Sequence, residues 1–401
     1  MRTGKILAVL LGALIFTGYG TVSSAKEGII MPKLNYKTKS LPNLGSFHFA
    51  KSLKAGWNLG NTFDASDVFH ANDILAHEQA WVGVVTDPRI FDALKQAGFS
   101  SVRIPVSWHN HVFGDDYTIS PAWLARVKEI VDAALSRGLY VIINTHHDIA
   151  KAFIYPDSNH LETSKRFLGA IWRQLAEAFY DYDERLIMES MNEPRLTGTK
   201  LEWWLDSRDP ASRDAVLSIN ALNQHFVNIV RAAGGGNATR YLLVPGYAAS
   251  VQGCLHKAFK MPKDTAGNKN RLMLSVHAYM PYDFALQAST ESGSSDVFSA
   301  KNRRNVNDIT KFMNNLYERS LSLRVPIVIG EFGCRDKNGN LQARVDYTAV
   351  YTALAQARGF SCFWWDNHIF TGDGELFGLL DRQTFTFEYP QIVDALISNT
   401  K

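Results

Sequence analysis

The sequence predicts an α/β protein built as a single (β/α)8 barrel, a TIM barrel, and three observations predict it. Eight short apolar runs rich in β-branched residues recur along the chain, stretches of helical period separate them, and no Pro/Gly-rich linker divides residues 47–400. Strands joined only by crossovers must pair in parallel, and eight of them close a barrel. The length of 401 residues allows one large domain or two ordinary ones, and the unbroken alternation selects one.

The elements follow in chain order. Arg2 and Lys5, an apolar run from Ile6 to Phe16, and small residues up to Ser23-Ser24-Ala25 form the three parts of a secretory signal peptide over residues 1–25. A secreted protein is therefore expected, extracellular or periplasmic. The apolar run is too short for a permanent anchor and no later stretch is long enough to span a bilayer, so no membrane partner is expected. Residues 26–46 are polar, carry Pro32 and Pro42, and read as a leader ahead of a barrel domain over 47–401.

The eight candidate strands are Ala55–Asn61, Ser101–Val106, Tyr140–His146, Leu186–Glu193, Tyr241–Gly246, Leu272–Tyr279, Pro326–Gly333 and Gly359–Asn367. Helical period marks Pro88–Ala97, Pro121–Arg137, Thr163–Tyr180 and Ala215–Ala233. In Pro121–Arg137, Leu124, Val127, Ile130, Val131 and Ala134 share one face behind the start signal Ser120-Pro121.

A formal net charge of +3, with no Lys/Arg run longer than a pair, argues against nucleic acid as a partner. Cys254, Cys334 and Cys362 are an odd number and no disulfide framework; their spacing leaves a single bridge open. Asn237-Ala238-Thr239 fits an N-glycosylation pattern. A monomer is expected. The 12% of aromatic residues is high for a nearly neutral chain and asks for a binding role beyond packing.

Barrel chemistry sits where strands meet their C-terminal loops. The fourth strand finishes Asn192-Glu193-Pro194-Arg195 and the seventh finishes Glu331-Phe332-Gly333, so two carboxylates face each other across the barrel mouth. At a separation of ~5–5.5 Å, such a pair performs retaining glycoside hydrolysis. The bland alternative is a pair of rim carboxylates in structural ion pairs. Glu189 lies deeper on the same side and is expected to be an interior hydrogen-bond acceptor. His146-His147-Asp148 suggests a metal-dependent hydrolase, but adjacent strand residues point to opposite faces, so no metal and no cofactor is expected. Trp57 and Trp364 read as core, whereas Trp81, Trp108, Trp203 and Trp204 are candidate sugar platforms set against loop packing.

Together, Gly56-Trp57-Asn58-Leu59-Gly60-Asn61, Val102-Arg103-Ile104-Pro105-Val106, Asn144-Thr145-His146-His147, Met191-Asn192-Glu193-Pro194, Ser275-Val276-His277-Ala278-Tyr279, Ile329-Gly330-Glu331-Phe332-Gly333 and Trp364-Trp365-Asp366-Asn367 give the chain its resemblance to secreted endoglucanases of glycoside hydrolase family 5. It is nearest to subfamily 4, whose members act on cellulose, mixed-linkage glucan and often xyloglucan. The resemblance implies that Glu193 is the general acid/base and Glu331 the nucleophile, supported by Arg103, Asn192, His277 and Tyr279. It also implies that Asn61, His146, His147 and Trp365 contact a β-glucan substrate. Two like charges this close cannot both ionise easily. With Arg103 set against Glu331 by the resemblance, the expectation is an ionised Glu331 and a Glu193 of raised pKa. A xylanase or mannanase on the same barrel, and a non-catalytic carbohydrate-binding barrel, are the alternatives.

Overall fold

The structure is a computed structural model and describes residues 28–68, 73–267 and 270–400. The expected signal peptide, residues 1–25, lies outside the described residues. Eight strands form one closed, all-parallel barrel: β1 (Ala55–Leu59), β2 (Ser101–Ile104), β3 (Tyr140–Asn144), β4 (Leu186–Glu189), β5 (Leu242–Ser250), β6 (Leu272–His277), β7 (Ile327–Phe332) and β8 (Ser361–Asp366). Neighbours pair in chain order and β1 closes on β8 through the register Ala55 to Cys362 and Leu59 to Asp366. Each strand falls on one of the eight expected runs. Seven runs overshoot because residues such as Glu193 continue into the loop after hydrogen bonding has ceased, whereas β5 runs four residues past the expected end at Gly246.

Helix α1 (Gly45–Ser52) precedes the first strand, and the outer layer consists of α2 (Ile90–Ala97), α3 (Pro121–Ser136), α4 (Leu161–Ala178), α5 (Pro210–Ala232), α6 (Val251–Leu255), α7 (Arg303–Leu323), α8 (Leu341–Gln356) and α9 (Pro390–Ser398). Ser120 caps α3 by accepting from the Trp123 amide, with Pro121 in the first turn, as its sequence signal implied. Helix α1 does not join the ring. Its Phe49 and Ala50, with Leu53 beyond them, pack on Ile142, Ile187, Leu243, Met273, Val328 and Phe363. It therefore plugs one end of the barrel, and the polar site has only the other end to open through.

Residues 28–44 are extended and correct the picture of a leader ahead of the domain. Ile29, Met31, Leu34, Tyr36 and Leu41 pack against the core, Lys39 N donates to Ala357 O, and Tyr317 Oη donates to Ser40 O. Sparse apolar residues in an aperiodic segment hide such a strap. The expected domain start at 47 falls inside α1. The three cysteines are free and buried, and burial pushes the thiols of Cys254 and Cys334 up to about 12. Asn237 is fully buried and its Nδ2 donates to Ala176 O, so in the folded chain the glycosylation pattern is a structural tie. No described helix is long and apolar enough to cross a membrane.

Candidate active site

The polar site is built upward from a buried cation. Arg103, at the end of β2, is fully buried and spends its guanidinium on four acceptors: Nε to Glu189 at 2.7 Å, Nη1 to Glu331 at 2.7 Å and Asn58 at 3.0 Å, and Nη2 to Asn192 at 2.7 Å. Planar forked donors suit this role, and a lysine point charge does not. Glu189 also accepts from Ser275 Oγ at 2.6 Å and Asn144 Nδ2 at 3.2 Å. It is the satisfied interior acceptor that its depth on the strand implied, because a buried carboxylate must be paired.

Above this layer stand the two carboxylates. Glu331 is 5% exposed and accepts from Arg103 on one oxygen and from Tyr279 Oη at 3.0 Å on the other. Glu193 lies four residues past the end of β4, and its close partner is His277 Nδ1 at 2.8 Å from Oε1. His277 Nδ1 is also 3.5 Å from Glu331. One oxygen of each carboxylate and a ring nitrogen of His277 lie within 4.8 Å of one another. Oxygens this close fit the ~5–5.5 Å carboxyl separation of retaining glycosidases better than the ~6.5–9.5 Å that inverting ones need to admit a water. His277 fits because residue 330 is glycine: a Cβ there would come within 3.1 Å of Nε2.

The charge balance reverses one expectation. Burial pushes Glu331 up, and His277 and Arg103 only partly offset it. Burial also acts on Glu193, but the His277 hydrogen bond, then the charges of His277 and Arg195, bring it below the ordinary carboxylate range. Burial opposes charge on His277, yet Glu331 and Glu193 together raise it. The cause is geometric. Arg103 divides one positive charge between Glu189 and Glu331, while His277 gives its short bond to Glu193. In this arrangement the proton expected on Glu193 is held by the Glu193–His277 pair.

His146 and Trp365 form the adjacent wall. Their rings are parallel, 3° apart in plane, with centroids at 5.8 Å. Trp365 comes this close to β1 because residue 60 is glycine; a Cβ there would be 2.9 Å from the indole. Trp57 and Trp364 are fully buried as expected, donating to Asp366 and to the Phe377 carbonyl. Trp108 is a correction: it is fully buried with Nε1 bonded to Asn144 O, and is no platform. Trp81, Trp203 and Trp204 are exposed, at 39%, 50% and 63%. Asn61 lies two residues past the end of β1 at φ 59°, and its amide donates to Asp64 Oδ2.

The strand argument about His146 and His147 also needs correction. Pairing in β3 ends at Asn144, so the chain has turned and the two rings meet edge to face at 4.5 Å. Both reach Asp64, not Asp148, and one atom of each of the three lies within 4.8 Å of the others. Asp148 instead accepts from the Trp108 and His109 amides. The donor set does not suit a metal. Asn144 Oδ1 accepts from the Val106 amide, so its Nδ2 donates to His146 Nδ1 and the proton of that ring lies on Nε2. A metal-bound histidine needs the opposite polarity, donating from its remote nitrogen. Burial pulls His147 down to about 4 and pushes Asp64 up to about 7. Asp64 gave no sequence signal, since its carboxylate acts on the Asn61 and Thr62 amides. Arg195 was visible in sequence only as the residue after Asn-Glu-Pro.

A family model described as cellulase (glycosyl hydrolase family 5) matches residues 63–371. Among solved structures, a family 5 lichenase from Caldicellulosiruptor sp. F32 is 51% identical with a TM-score of 0.92, covering 93% of this chain and 100% of that one. A family 5 xyloglucan-specific endo-beta-1,4-glucanase from a metagenomic library, in complex with cellotriose, is 37% identical with a TM-score of 0.78, over 88% of this chain and 98% of that one. Endoglucanase B of Ruminococcus albus is 39% identical over 341 residues, which is 84% of this chain and 77% of that protein. With a closed parallel barrel, paired carboxylates at its open end and a family model spanning most of its length, the chain belongs to glycosyl hydrolase family 5.

Proposed function

We propose that this protein is a secreted, monomeric, retaining endo-β-1,4-glucanase acting on cellulose, mixed-linkage β-glucan and xyloglucan, with no metal in its chemistry. The observation that carries the mechanism is the spacing of Glu193 and Glu331 together with their unlike tethers.

Glu331 is the nucleophile. Arg103 and Tyr279 both donate to it, which favours the ionised form and aims the carboxylate at the anomeric carbon. As the bond from Glu331 to that carbon forms, the bond to the leaving oxygen breaks, and Glu193 delivers to that oxygen the proton it shares with His277. In the second half Glu193 takes a proton from water, the water oxygen attacks the same carbon, and Glu331 leaves. Asn192, whose Oδ1 accepts from Arg103 beside Glu193, is assigned the bond to the 2-hydroxyl of the central sugar. Trp365 offers its ring face to that sugar, His146 donates from Nε2, and Asn61 and His147 line the wall beyond. Trp81, 5.7 Å from the His147 ring, extends this wall.

The test is a substrate panel of carboxymethylcellulose, barley β-glucan, xyloglucan, xylan and mannan, with products sized. The reading requires internal cleavage of the glucans and weak action on xylan and mannan. Main activity on mannan or xylan, or release of only terminal units, would replace it. Activity unaffected by chelation is expected.

A further inference from the structure

The mechanism leaves one charged side chain beside the proton-transfer carboxylate unused. Arg195 follows Glu193 by two residues, is 14% exposed, and has Nη1 3.6 Å from Glu193 Oε2 and 3.1 Å from the Glu193 carbonyl. Its guanidinium carbon lies over the Trp203 ring, 4.1 Å from the centroid. Glu202 approaches Nε at 3.5 Å, yet Nε is buried without a hydrogen-bond partner. Stacking and Coulomb attraction therefore fix the guanidinium, with no saturated hydrogen-bond network to hold it.

The loop that carries these groups is itself pinned. Tyr247 Oη accepts from the Leu196 amide and donates to Leu201 O, while the Gln252 side chain bonds both the amide and the carbonyl of Leu205. Trp203 is thus presented on a fixed segment, half exposed, with one face taken by Arg195. The exposed half of the ring is available to a sugar next to Glu193.

We propose that Arg195 is a positioning residue for proton transfer: clamped between Trp203 and Glu202, it holds a positive charge against Glu193 and joins the leaving-group platform to the carboxylate that protonates the leaving oxygen. This rests on the assignment of Glu193 as acid/base. The charged and titratable groups around Glu193 are His277 from β6, Glu331 from β7 with Tyr279 behind it, His147 after β3, and Arg195 on its own loop; Glu202 faces Arg195. Of these, Arg195 and Glu202 stand outside the groups assigned to contact the sugar, so their charges can be changed with that machinery kept.

The signs are opposite and testable. A cation at 3.6 Å favours the ionised carboxylate, so Arg195→Gln moves the alkaline limb of the kcat/KM profile up by about half to one pH unit. Arg195→Lys keeps the charge and leaves the limb in place, while losing the planar stack raises KM for oligosaccharides that reach the leaving-group side. Glu202→Gln removes the opposing carboxylate and moves the limb down. With aryl cellobiosides whose very acidic leaving groups depart without a proton, the alkaline limb of kcat/KM should shift little in any of the three, because kcat/KM there no longer reports proton transfer from Glu193. An alkaline limb that stays fixed in both Arg195→Gln and Glu202→Gln overturns the proposal. If Arg195→Gln does not fold, the Glu202→Gln shift decides alone. Failure of the underlying assignment looks different, since Glu193→Gln would then retain near-normal turnover.

Discussion

Glu331 and Glu193 close the same barrel mouth and are held in opposite ways. Glu331 sits within β7, with donors on both oxygens and Arg103 locked beneath it by Glu189, Asn58 and Asn192. Glu193 sits on a loop, is more exposed, and has a histidine with which a proton can be exchanged and an arginine whose charge is shared with a tryptophan and a second glutamate. A nucleophile gains from being immobile, since attack needs one geometry. A group that gives a proton in one step and takes one in the next gains from an adjustable charge environment.

The sharpest way to break this contrast is to remove each carboxylate. Glu331→Ala should fold normally and fall to near-background turnover, with azide restoring activity and yielding the inverted glycosyl azide. Glu193→Gln should lose ~10²–10⁴-fold in kcat/KM on polysaccharide but far less in kcat/KM on aryl cellobiosides with acidic leaving groups. Equal losses on the two substrate types would erase the difference between the roles.

Arg103 tests the rigid half. Arg103→Met strands two buried carboxylates and should cost about 3–5 kcal/mol of stability as well as activity, read by denaturant unfolding. Trp108→Ala should also destabilise by about 3–5 kcal/mol, whereas Trp204→Ala, at an exposed ring, should leave stability nearly unchanged. Tyr279→Phe is gentler. It removes a hydrogen bond to ionised Glu331, so the acid limb of the pH profile should move up while the alkaline limb stays.

The last expected effect lies away from the site. His111 is buried against the Trp123 face, 3.6 Å between centroids, with both ring nitrogens lacking a hydrogen-bond partner, and burial first, then His77 and His109, pull it down to about 2. An unfolded chain protonates this histidine near pH 6.5 and the folded one does not. Stability from this position is therefore present above that pH and declines as pH falls below it, by up to about 1.4 kcal/mol per unit. His111→Phe should flatten the Tm profile between pH 6.5 and 4.

Much of this was legible in the sequence. Eight β-branched runs located all eight strands, because strands buried on both faces read as apolar runs. Carboxylates at strand ends singled out Glu193 and Glu331, and the family resemblance pointed to Arg103, Asn192, His277, Tyr279 and Trp365 around them. What escaped depends on where a loop turns. Trp108 and Trp204 are alike in sequence, yet one is core and the other surface. His146 and His147 share a side only because pairing stops at Asn144. The division of Arg103 between two carboxylates, which sets where the proton rests, is visible only with both acceptors in place.

The anomeric form of the first-released product tests the central claim most directly. Proton NMR of early cellopentaose hydrolysis should show the β-anomer first, with the α-anomer growing only at the mutarotation rate. Initial release of the α-anomer would mean a single inverting displacement, and would contradict the assignment of Glu331 as nucleophile at a carboxylate spacing within 4.8 Å.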